Sequence, residues 1–147
     1  MEKIKYYWNT TIDDVEEHLA SGIKYLKGYY PETEQIEFYC KDGFVVKMFH
    51  DQNCCESVYL QDDDGLDNEV DIFTDCDWCV IEEEIFSSDD ENTLEPLDKY
   101  DDSYTWTFYK FKTNKGYDTM RWYGCSNGWY SESVDFEIYG EENNENL

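Results

Sequence analysis

A chain with 14 Tyr, 8 Phe and 5 Trp among 147 residues must bury much of that ring surface or aggregate. The same chain carries 36 Asp and Glu against 11 Lys and Arg, a net charge of -25 at pH 7. Net charge that high, with a mean hydropathy of -0.84, is also the composition of disorder, but acidic disordered segments are poor in aromatics. Together these facts specify a folded, aromatic-cored domain with an anionic surface. A chain of 147 residues supplies one such domain, residues 1–147. Its charge excludes direct nucleic-acid binding, because a phosphate backbone would be repelled.

The N-terminal segment, 1–30, is expected to be helical around one short helix. Thr11 followed by Asp14 has capping-box spacing, Ile12, Val15, Glu16 and Leu19 recur at helical spacing, and Gly22 suits the C-terminal cap. Residues 34–139 read as a β-rich core. Glu34 to Lys41 alternates Ile36, Phe38 and Cys40 on one face, Asp42-Gly43 signals a hairpin, and Phe44 to Phe49 returns. Further strands are expected over Ser57 to Gln61, Tyr104 to Lys112, Tyr117 to Tyr123 and Trp129 to Tyr139. The fold class is therefore α+β: an antiparallel meander dominates, with the short N-terminal helix packed on its open face. Residues 61–71 and 82–102 read as acidic surface loops, and 141–147 as a frayed acidic tail. No segment has the length and apolarity of a signal peptide or membrane span, so a cytoplasmic protein is expected.

Six cysteines in a reducing compartment point away from disulfides. His50, Cys54 and Cys55 form an H-x3-C-C group, and Cys76 with Cys79 forms C-x2-C about twenty residues later. A C-x2-C turn places two thiolates on one tetrahedral ion, and a His and a Cys from a second segment complete structural zinc coordination. The alternative is that the thiols are small apolar core residues. Asp62-Asp63-Asp64-Gly65 fails as a calcium loop, since aligning Gly65 puts Leu60 at the first ligand position. No nucleophile elbow, phosphate-cradling loop or H-E-x-x-H appears, so no enzyme is expected.

Clustered acid is the remaining signal. Carboxylates this dense raise a field of several kT, which steers a basic partner toward them and weakens with salt. Asp62, Asp63, Asp64, Asp67, Glu69 and Asp71 form the first candidate partner-binding cluster. Glu82, Glu83, Glu84, Asp89, Asp90 and Glu91 form the second. The expected partner is a basic nucleic-acid-binding protein, whose positive groove the acids would occupy. An interaction module whose charge serves only solubility is the alternative, as is a small metal-binding regulatory protein.

Two blocks carry a resemblance. His50-x-Gln52-x-Cys54-Cys55-Glu56-x-Val58 is one, and Arg121-Trp122-Tyr123-Gly124-x-Ser126-Asn127-Gly128-x-Tyr130-Ser131-x-x-Val134 is the other. They resemble a family of small uncharacterised phage and bacterial proteins, and in size and acidity the chain is similar to type II-A anti-CRISPR proteins, one of them zinc-containing. The resemblance implies a phage-encoded, non-enzymatic inhibitor of Cas9 that blocks nucleic-acid loading, with zinc as a structural cofactor.

Overall fold

The structure, a computed structural model, describes residues 3–5, 10–52, 54–61, 70–91 and 93–141. The helix forms where the capping residues place it: α1 spans Ile12–Leu19 with Thr11 as N-cap. The Asp14 amide donates to the Thr11 hydroxyl, and Asp14 Oδ2 accepts from the Thr11 amide at 3.1 Å. Val15 and Leu19 are fully buried. Gly22, with φ +98, then lets the chain pass over the Cys76 carbonyl, which a Cβ at that position would approach to 2.4 Å.

Among the described residues, nine strands follow the sequence pattern in part. They are β1 (Lys3–Lys5), β2 (Ile23–Lys27), β3 (Gln35–Cys40), β4 (Phe44–Phe49), β5 (Ser57–Leu60), β6 (Cys79–Ser87), β7 (Ser103–Thr113), β8 (Gly116–Ser126) and β9 (Asp135–Glu141). The expected meander exists only locally, as β2-β3-β4 and as β6-β7-β8. The described residues form two antiparallel sheets, ordered β1-β9-β4-β3-β2 and β5-β8-β7-β6. Among the described residues the architecture is thus mostly β, with one short α-helix.

The sheets share one core. Ile36, Phe38, Met48 and Ile138 of the first meet Ile81, Phe111, Met120 and Trp122 of the second, and α1 adds Val15 and Leu19. Phe38 and Phe111 stand 5.6 Å apart, Tyr109 and Phe136 5.4 Å, in the range of favourable ring pairs. A short 3-10 turn, Val70–Phe73, packs Phe73 against both Phe38 and Phe111.

Three expectations are corrected here. Residues 1–30 are not a helical segment alone, since β1 and β2 flank α1. Glu82, Glu83 and Glu84 do not lie in a loop but inside β6, an edge strand, where charge is tolerated because it guards an open edge. Lys110 on β7 pairs across with Glu82 and bonds Glu84 at 3.1 Å. Residues 127–134 are a strap without strand structure, and β9 begins only at Asp135. The rest of the expected loop, 93–101, lies over the outer face of β7 and β8. There Tyr104 Oη donates to the Leu94 carbonyl and Trp106 Nε1 to that of Glu95.

Candidate functional site

The inner face of the β5-β8-β7-β6 sheet is covered for only part of its length. Where the other sheet stops, Glu83, Ile85 and Ser87 of β6 and Thr105, Thr107 and Tyr109 of β7 line a groove of about 310 Å³, walled opposite by Tyr130–Val134 of the strap. Its carboxylates are Glu83, Asp89 and Glu132, and no Lys or Arg is among its described lining residues. Tyr109 Oη donates to Glu83 at 2.6 Å. Burial first, then this bond to an anion, pushes the Tyr109 phenol well above its ordinary range.

The two sequence blocks build the strap. Gly124 has no room for a side chain: a Cβ there would lie 2.4 Å from the Glu132 carbonyl. Glu132 accepts from Thr105 Oγ1 at 2.8 Å and from Ser126 Oγ at 2.5 Å, so both its oxygens are anchored to the sheet. The Gly128 amide donates to Ser126 Oγ, and the Trp129 amide to Asn127 Oδ1, which turns the chain and leaves Trp129 88% exposed at the tip.

His50 ties the first block to the second. Its ring, almost wholly buried, has Nδ1 at 2.7 Å from the Ser133 carbonyl and Nε2 at 3.0 Å from Glu56. Both ring nitrogens are therefore engaged by oxygens of the protein. The other oxygen of the Glu56 carboxylate accepts from the Cys54 amide at 2.9 Å, and the Asp51 amide donates to Asp135 at 3.1 Å.

These engagements decide how the expected zinc ligands are disposed. His50 has both nitrogens committed, and the exposed Cys54 and Cys55 are joined as a disulfide. Cys76 and Cys79 lie at the other end of the molecule. β4 starts beside Cys40 and delivers His50 six residues later, about 20 Å away at the rise of a strand. Ile23 pairs with Cys40 on one side and Cys76 on the other, so it stands between those two cysteines. The five residues do not converge, and among the described residues no group of three or more His, Cys, Asp or Glu side chains is arranged to hold a metal ion. The residues present do not fit one zinc ion. Burial instead pushes the Cys79 thiol up to about 12 and raises those of Cys40 and Cys76 as well, the behaviour of apolar core thiols.

Of the acidic candidates, Glu83 and Asp89 line the groove, while Glu82 and Glu84 project from the opposite face of β6. The Asp90 carboxylate accepts from the Ser87 amide at 3.1 Å, and Glu91 and Asp71 are exposed. Asp62, Asp63, Asp64, Asp67 and Glu69 lie outside the described residues. Sequence reasoning missed Glu132 and Ile85. Glu132 sits inside the second block, whose Gly124 and Ser126 were the available signal.

Residues 5–136 match the model of a domain family of unknown function, DUF7448. No curated protein and no solved structure matches the chain. Among the described residues no helix is long and apolar enough to cross a membrane.

Proposed function

We propose a binding role for this chain, which belongs to the DUF7448 family. It acts as a non-enzymatic inhibitor that docks its acidic groove and edge on the basic surface of a nucleic-acid-handling protein. Cas9 of a type II-A system is the leading partner, and the bacterial cytoplasm the place of action. The observation that supports this is the groove itself: three carboxylates converge on it and no cation of its described lining neutralises them. At -25 the chain also exceeds the charge that solubility asks of a small domain. Occupying Lys- and Arg-rich surface that normally holds the guide–target heteroduplex would block nucleic-acid loading by occlusion and by repulsion.

The test is a Cas9 DNA-binding assay with the wild-type protein and a variant carrying Glu82→Lys, Glu83→Lys and Glu84→Lys. Single substitutions should change little, since rim charges are individually weak. The triple reversal should abolish inhibition, and wild-type inhibition should weaken steeply from low to moderate salt. Undiminished inhibition by the triple variant refutes the role given to this edge.

A further inference from the structure

The register of β6 decides which of its backbone groups are free. Ser87 pairs with Thr105, and one step on, the Ser88 amide donates to the Tyr104 carbonyl. In an antiparallel ladder, alternate residues turn both N–H and C=O toward the partner strand and the others turn both away. The even-numbered residues of β6 therefore bond β7, and the odd-numbered ones face outward. The Ser87 amide conforms, being turned to the Asp90 carboxylate. α1 packs against β6, whose Cys79 and Ile81 are buried, whereas Glu82, Glu83, Glu84 and Ile85 are exposed, Ile85 by 54%. Among the described residues nothing pairs with the outward N–H and C=O of Glu83 and Ile85.

These two residues also line the acidic groove, so one stretch presents unpaired backbone, carboxylates and an exposed apolar side chain together. We propose that the Glu83–Ile85 edge of β6 receives an extended, lysine- or arginine-rich segment of the partner as an added strand. The inference rests on the acidic-face reading above and gives it a mode of attachment. Charge selects the occupant. A second copy pairing edge to edge would set Glu82, Glu83 and Glu84 against their own counterparts, and like charges across a ladder are destabilising. A basic strand reverses that sign on both faces: alternate side chains reach Glu83, Asp89 and Glu132 in the groove, and the others reach Glu82 and Glu84. Main-chain bonds then supply affinity and the carboxylates supply selection, as in other strand additions.

A capped ten-residue peptide alternating lysine and threonine is the probe, titrated at low salt and followed by amide exchange and calorimetry. Binding should slow exchange at the Glu83 and Ile85 amides. Ile85→Pro removes one outward N–H without touching the β7 ladder, so it should fold normally and bind at least tenfold more weakly. Ile85→Thr keeps the N–H and should bind within about threefold of wild type, a side-chain effect of under 1 kcal/mol. Should Ile85→Pro misfold, the wild-type exchange pattern decides alone. Equal binding by a folded Ile85→Pro variant, or protection elsewhere than 83–85, overturns strand addition and leaves the acidic-face reading standing. Absence of any salt-sensitive binding of the peptide overturns both.

Discussion

The imidazole of His50 and the carbonyl of Ser133, 83 residues apart in sequence, are joined at 2.7 Å. That one contact fastens the two sequence blocks of the chain to each other and sets one wall of the groove. Glu56 holds the other side of the ring from within the first block.

Breaking this pair should loosen the strap and cost stability. Removing one partner of this buried hydrogen-bonded pair leaves the other polar group unsatisfied, so His50→Ala or Glu56→Ala is expected to lose about 1–3 kcal/mol in urea unfolding. Exchange at 130–134 should quicken in the same variants. A loss within the range of a surface substitution would show that the pair holds nothing.

Gly124→Ala tests the strap from the sheet side. Its Cβ would meet the Glu132 carbonyl at 2.4 Å, so strap or strand must shift. A destabilisation of about 1–3 kcal/mol is expected, read from the denaturant midpoint.

Thiol labelling separates the cysteines by position. In the folded protein at mild alkaline pH, reduced Cys54 and Cys55 should react first, because both are exposed. Cys40, Cys76 and Cys79 should resist until unfolding, since burial raises their thiols and blocks access. Peptide mapping after timed labelling reads the order, and early labelling of Cys79 would contradict its core position.

High pH should unfold the domain through its tyrosines. Burial, and then hydrogen bonds to Glu83 and Asp101 respectively, raise the phenols of Tyr109 and Tyr123. The folded state therefore holds these protons where the unfolded chain releases them. Their contribution is fully present below the ordinary phenol value of about 10 and is lost as pH climbs above it. Phenolate absorbance from Tyr109 and Tyr123 should therefore appear only together with loss of circular dichroism.

Local signals were legible from residues alone. Thr11 and Asp14 mark the start of α1 because the cap is a three-residue contact, and Phe44 to Phe49 reads as a strand because alternation and the Asp42-Gly43 turn agree. What failed depended on distant partners. The three consecutive glutamates of β6 read as a loop because nothing nearby shows that Lys110 will lie opposite and that the strand will be an edge. The strap looked like strand because Val134, Phe136 and Ile138 alternate, whereas Gly124, Thr105 and His50 draw residues 132 and 133 elsewhere. Cys76 and Cys79 had metal-like spacing, but the pairing of Ile23 between Cys76 and Cys40 is tertiary. The groove was half visible: Glu83 and Asp89 were singled out for charge, while Ile85 and Glu132 acquire meaning only from register.

β9 slots between β1 and β4, pairing with both. During synthesis on the ribosome, β4 must therefore wait with one flank bare until residues 135–141 emerge, although its hairpin with β3 is available roughly ninety residues sooner. Truncations that remove those last strand residues should consequently give chains that clump or are degraded, not smaller working domains, and nascent-chain length becomes a determinant of yield.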